Sequence, residues 1–172
     1  MRQKLTMACL FPGLMAVMAL TPALLNAQIN PNELVGSWHL TFTPKTPATP
    51  PVAPVPGLAT FTSDGTVVET DGTEAVPIVV SPTPAVFGTP GHGIWQPGPA
   101  IGTLFIQFFN LEVNANGTLH ATKMVTITGT LDSTGNNFSG SYSFELTDPT
   151  GHVVSGGSGA LTGQKIPHPL LP

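Results

Sequence analysis

The histidines are the side chains of this chain best suited to acid–base chemistry or to metal binding, but they are scattered. All five lack the short spacing that places two imidazoles on one metal ion: His39, His92, His120, His152 and His168. We interpret His39, His120 and His152 as surface residues on strands and His168 as part of a tail. His92 differs because glycines flank it and Trp95 follows closely. It could act as a general base, a haem or metal ligand or a hydrogen-bond partner, the alternative being a turn histidine.

Lys123 is the second candidate, because a charge stands there among the apolar residues of a predicted strand. Antiparallel pairing through a turn at Asn116-Gly117 places Asn110 opposite Lys123, with Glu112 next on the same face. A buried ammonium group is costly unless it is paired. Lys123 therefore either holds a ligand carboxylate at a cavity mouth, or pairs with Glu112 at a rim, or is turned outward by a bulge.

The chain contains no grouping of side chains that is typical of a catalytic centre. A Gly-x-Ser-x-Gly nucleophile elbow is absent, and Asp132 and Asp148 are predicted to be turn residues. The single cysteine is Cys9, near the start of the chain. We therefore predict no catalytic residues, no metal and no cofactor, and we favour a binding function over an enzyme.

Short alternating strands must position these residues. The pattern predicts strands at Val35–Thr43, Leu58–Ser63, Thr66–Thr70, 103–113, 118–131, 137–147 and 152–163. Asp64-Gly65 predicts a two-residue turn, which places Phe61 opposite Val68. We expect an all-β fold, an antiparallel up-and-down barrel of about eight strands, with an open sandwich as the alternative.

Two stretches interrupt this regular pattern. Residues 44–57 hold six prolines and are expected to form an extended loop. Residues 71–102 are expected to be irregular, with short strands at Ile78–Val80 and Gly93–Gln96. A stretch of this length in a compact domain is more often a functional loop than a plain connection.

The first residues of the chain indicate the compartment in which the protein works. Residues 1–27 open with basic residues, continue with an apolar run and end in a small residue, as a secretory signal peptide does. A barrel domain over 28–166 and a tail over 167–172 follow. We expect a secreted or periplasmic protein whose mature form does not span the membrane. The mature chain would hold Lys45, Lys123 and Lys165 against nine acidic residues, which argues against a nucleic-acid partner.

One predicted face would be apolar and outward-facing. The register of the paired strands places four residues there, which we call the outer patch: Phe105, Phe109, Leu111 and Met124. Bare apolar surface of this kind is usually covered. Either the proline-rich segment or a second subunit in a homodimer would cover it.

Two resemblances bear on function. The segment from Asn32 to Trp38, with Gly36-Ser-Trp38, resembles the opening of lipocalin-like (calycin) barrels, in which the tryptophan plugs one end. That resemblance implies a closed barrel that binds a small hydrophobic ligand. The glycine-rich stretch 156–163 is similar to the closing strand of allene oxide cyclase and dirigent-type barrels, which leaves an isomerase using His92 or Lys123 as an alternative. A pocketless interaction module is the third hypothesis. The candidate ligand-binding residues are Trp38, Phe42, His92, Trp95, Phe108, Asn110, Lys123 and Tyr142.

Overall fold

The computed structural model describes residues 31–46, 53–75, 85–100 and 102–167, and most of these residues form one antiparallel sheet. Its strands are β1 (Gly36–Thr46), β2 (Val55–Phe61), β3 (Thr66–Asp71), β4 (Val86–Gly88), β5 (Gly91–Pro97), β6 (Thr103–Asn114), β7 (Leu119–Leu131), β8 (Asn137–Thr147) and β9 (Val153–Lys165). A 3-10 turn at Pro31–Glu33 and a helical turn at Gly72–Ala75 accompany them. The predicted signal peptide, the strand predicted at Ile78–Val80 and His168 lie outside the described residues.

The sheet closes on itself. Successive strands pair in chain order and β9 returns to pair with β1. The short β4 and β5 both pair with the same edge of β6, on either side of a break at Thr89-Pro90. Thr89 bridges this break, since its backbone N–H donates to Leu111 O and its carbonyl accepts from Asn110 Nδ2. The fold is therefore an all-β, antiparallel, up-and-down barrel of eight strands, as predicted, and the open sandwich is excluded. A closed barrel leaves no long unpaired edge.

The β6–β7 hairpin has the register predicted from the sequence. Phe108 lies opposite Val125, and Asn110 lies opposite Lys123. Tyr142 on β8 continues the same inward face and is buried. The period-2 alternation of buried and exposed residues therefore identified the interior correctly on these strands.

The β2–β3 hairpin differs from the prediction by one residue. Phe61 lies opposite Val67 rather than Val68. The turn has three residues, closed by a bond from Thr62 N to Thr66 O and completed by Gly65 at a φ of +86°. A shift of one residue moves every side chain of a strand to the other face. Glu69 consequently points into the barrel, where Val68 was expected.

Both ends of the proline-rich segment, which was predicted as a loop, belong to strands. Its first residues extend β1, and Val55 to Gly57 pair with β1 from the start of β2. Pro44 stands beside a register shift and Pro56 pairs near the end of the ladder. Proline is tolerated at such positions because few ladder hydrogen bonds need its missing N–H. The irregular stretch 71–102 likewise contains β4 and β5.

One end of the barrel is sealed by an aromatic core. Trp38 is fully buried, and its indole N–H donates to Leu34 O at 2.7 Å. The Lys165 ammonium lies 5.7 Å from the centre of the Trp38 ring and donates to Glu33 O at 2.6 Å. Further apolar side chains fill this end: Phe61, Trp95, Leu104, Ile106, Ile127, Leu131, Phe138 and Leu161.

Candidate functional site

The opposite end of the barrel holds a cavity of about 460 Å³. This volume lies within the range of small-molecule sites, roughly 300–1,000 Å³. The apolar part of its wall consists of Phe42, Pro44, Val55, Val86, Phe108, Val125, Tyr142, Phe144, Leu146 and Val154. The polar residues in the wall are Asp71, Glu112, His120, Lys123 and Ser155. The cavity is thus mainly apolar, with a few ionisable groups at defined positions.

Glycines on β9 shape one side of this half of the barrel. A Cβ atom on Gly157 would lie 2.6 Å from the Phe144 ring, and one on Gly159 would lie 2.6 Å from the Tyr142 ring. The rings therefore rest directly on the backbone of β9. Tyr142 also meets Phe42 edge to face at 5.3 Å. These contacts hold the aromatic wall in place.

Lys123 is paired inside the barrel. Its ammonium nitrogen lies 3.6 Å from Asp71 Oδ2, and the two side chains are only 17% and 12% exposed. Glu112 was the partner in one of the three alternatives drawn from the sequence. Asp71 takes that place because the β2–β3 register turns Asp71 inward together with Glu69.

Glu112 and His120 lie close by in the same wall. Glu112 is 7% exposed, and burial raises the pKa of its carboxyl, while Lys123 and His120 oppose the rise. The β6–β7 ladder shifts here, since Val113 pairs with Leu119 and leaves His120 as the extra residue. This bulge brings His120 to the cavity, whereas the sequence predicted a surface histidine.

Glu69 lies deeper, between the cavity and the sealed end. It is 1% exposed, and neither of its carboxyl oxygens has a hydrogen-bond partner among the described residues. Burial, followed by the negative charge of Asp71, raises the pKa of Glu69 to about 8. Lys123 and Asn110 oppose the rise, although the Asn110 amide donates its hydrogen bond to Thr89 O. Burial therefore favours the neutral acid form of Glu69 near pH 7.

A second, much smaller space adjoins Glu69. It measures about 10 Å³, which is close to the minimum for one water molecule, about 10–15 Å³. Phe108 lines both this space and the large cavity. The Phe108 ring therefore forms the floor of the cavity above Glu69.

The structure brings together four of the eight candidate ligand-binding residues. The cavity wall contains Phe42, Phe108, Lys123 and Tyr142. The other four lie elsewhere: Trp38 and Trp95 in the sealed core, Asn110 buried close to Glu69, and His92 exposed on the outer wall opposite Phe109.

Sequence reasoning did not select Glu69, Asp71 or His120 as site residues. For Glu69 and Asp71 a signal was present: the spacing between Thr62 and Gly65 indicates the observed three-residue turn, which turns both side chains inward. His120 reaches the cavity through a bulge, which the alternation of residues does not indicate.

No metal site, membrane-spanning helix or known relative assigns a function to the described residues. Within the described ranges, no three His, Cys, Asp or Glu side chains are grouped closely enough to hold a metal ion. None of the helical turns in the same residues is long and apolar enough to cross a membrane. Compared with protein-family models, with curated proteins and with solved structures, the chain gives no match. The function must therefore be argued from the cavity itself.

Proposed function

We propose that this protein binds a small, mainly hydrophobic molecule in the open half of its barrel. The observation that carries the proposal is the cavity of about 460 Å³, whose wall is largely aromatic and aliphatic. A barrel of eight strands is often filled completely by its own side chains. Here the side chains fill only the end of the barrel around Trp38, and the other half contains the open cavity.

The proposal includes a lipocalin-like role outside the cytoplasm. The Gly36-Ser-Trp38 motif supports the lipocalin-like assignment, since Trp38 seals one end of a closed up-and-down barrel. The pattern of residues 1–27 supports secretion or a periplasmic location. A carrier or scavenger of apolar molecules would work in either place.

A binding role is favoured over an isomerase by the positions of the two candidate catalytic residues. His92 is exposed on the outer wall and does not line the cavity. Lys123 lies in the cavity wall but is paired with Asp71. A pocketless module is not favoured, because the cavity is present.

The first test is the uptake of a neutral apolar dye. N-phenyl-1-naphthylamine gains fluorescence when it leaves water, so titration of the protein into this dye reports an apolar site. We expect saturable binding to the wild-type protein. In Leu146→Trp the larger side chain would occupy part of the cavity and binding would weaken by at least about tenfold, which is a change of about 1.4 kcal/mol.

Leu111→Trp is the matched control. Leu111 lies on the outer wall and is 45% exposed, so the same substitution there leaves the cavity unchanged. Equal weakening in both variants, or weakening only in Leu111→Trp, would place the dye on the outer wall and contradict the proposal. No dye uptake by the wild-type protein would contradict it as well.

Self-association through the outer patch is a second candidate role. Phe109 is 47% exposed and the neighbouring Ile94 is 56% exposed, whereas Phe105 and Met124 are half-buried. Exposed apolar side chains in one area favour a contact with another surface. If a homodimer forms there, sedimentation at increasing concentration will show a dimer that Phe109→Asp abolishes. A wild-type protein that stays monomeric at all concentrations would exclude it.

A further inference from the structure

The charges inside the cavity bear on the kind of ligand that fits it, and this inference rests on the proposed binding function. Lys123 is the only lysine among the described residues of the cavity wall. Its ammonium already faces Asp71 Oδ2 at 3.6 Å. A ligand carboxylate would have to compete with Asp71 for it, so the site is poorly suited to fatty-acid-like anions.

Glu112 is the acidic group left over in this arrangement. Glu112 lines the cavity and is only 7% exposed. It has no hydrogen bond or ion pair with another described residue. An acceptor in the wall of a mainly apolar cavity binds a donor more strongly than an acceptor in bulk water does, because the local dielectric is low. The wall thus presents an acceptor for which the protein itself supplies no donor.

The charged groups around Glu112 partly cancel one another. Lys123 and His120 favour its ionised form and Asp71 opposes it to a smaller extent. Asp71 and Lys123 also face each other at 3.6 Å, which leaves Glu112 as the remaining acidic group of the wall. Lys45 and Lys165 add no positive charge to the cavity, since Lys45 is exposed and Lys165 is bound over Trp38. A positive charge entering the cavity would therefore be stabilised more than a negative one.

We propose that the ligand is a hydrophobic amine, whose ammonium group binds the Glu112 carboxylate while its apolar body lies against Phe108, Val125 and Phe144. An ammonium ion supplies N–H donors to an acceptor that lacks them. Its charge also balances that of the Glu112 carboxylate, since Lys123 is already paired with Asp71. The apolar wall accounts for the rest of the molecule.

The test compares three probes that differ only in their polar group: decylamine, decanol and decanoate. Each is titrated into the full-length protein by calorimetry at pH 7, at concentrations below those at which the probes form micelles. We expect decylamine to bind most tightly and decanoate most weakly, with at least about a tenfold difference between them. This ranking is measured on the wild-type protein and does not depend on any variant.

Glu112→Gln removes the charge and keeps the shape of the side chain. The preference for decylamine over decanol should fall by about tenfold in this variant. Glu145→Gln, on the exposed side of β8, is the matched control and should keep the wild-type preference. A preference that persists in Glu112→Gln would overturn the role of Glu112.

The outcomes separate this inference from the function on which it rests. Decanoate binding as tightly as decylamine, or more tightly, would overturn the amine and leave a barrel that binds another apolar ligand. If the protein binds N-phenyl-1-naphthylamine but none of the three probes, the amine is likewise overturned and the binding barrel remains. Failure of the wild-type protein to bind the dye and all three probes would overturn both.

Discussion

The substitution Glu69→Gln tests whether a neutral carboxylic acid is buried in the barrel. Glu69 is 1% exposed and its pKa is raised from 4.5 to about 8. Between these values the folded protein keeps a proton that the unfolded chain has lost. Stability therefore falls as the pH rises through this window, by about 1.4 kcal/mol per pH unit. Glutamine has nearly the same shape and carries no charge at any of these pH values.

The expected size of the effect follows from that slope. Between pH 5.5 and 7.5 the Glu69 carboxyl lowers the wild-type free energy of unfolding by about 3 kcal/mol. Burial also raises the pKa of Glu74 and Glu112, and these groups act in the same direction. The informative quantity is thus the difference between the wild-type protein and Glu69→Gln. We expect the stability of the variant relative to the wild-type protein to rise by about 3 kcal/mol between pH 5.5 and pH 7.5.

Urea unfolding followed by circular dichroism at pH 5.5, 6.5 and 7.5 measures this difference. Glu145→Gln, which removes an exposed carboxylate from the outer wall, is the control and should keep the wild-type pH dependence. Parallel pH profiles for the wild-type protein and Glu69→Gln would refute the buried acid. They would also refute the inward register of β3 that places Glu69 in the barrel.

Two further substitutions test the packing of the barrel. Gly93→Ala would place a Cβ atom 1.9 Å from Gln107 O, so urea unfolding should show that the free energy of unfolding falls by at least about 1–3 kcal/mol. Gly72→Ala is the control. Its Cβ atom would meet only ordinary contacts at 3.5 Å or more, so it should change stability little. A Gly93→Ala protein of wild-type stability would contradict the close β5–β6 approach. Lys165→Met removes the cation over Trp38 and should cost about 1–2 kcal/mol, against a change within about 0.5 kcal/mol for the exposed Lys45→Met. Equal losses in the two lysine variants would show that the contact with Trp38 contributes nothing specific.

The architecture could be predicted from the sequence because local patterns decide it. The alternation around Phe108 and Tyr142 gave the inward face, and turn residues gave the ends of the strands. The β6–β7 turn contains Asn116-Gly117, and the predicted register proved correct in the part of the ladder near Lys123. In a meander each strand pairs with its neighbour in the chain, so a barrel follows once the strands are known.

The ionisable groups of the cavity depend on finer details. At Asp64-Gly65 a three-residue turn replaced the two-residue turn, and that one residue turned Glu69 and Asp71 inward. No non-glycine residue in the described ranges has a positive φ, which excludes a two-residue type I′ turn, because that turn needs a positive φ at Asp64. The pairing partner of Lys123 depends on this register. It could not be derived from the strands on either side of Lys123.

The central claim is that the open half of the barrel binds an apolar ligand, and a methyl NMR titration with N-phenyl-1-naphthylamine tests it most directly. We expect saturable shifts of the Val125 and Leu146 methyl groups, which line the cavity. Leu131 in the sealed core and Leu111 on the outer wall should change little. Shifts centred on Leu111, or no saturable shift at Val125 and Leu146, would show that the dye does not bind in the barrel.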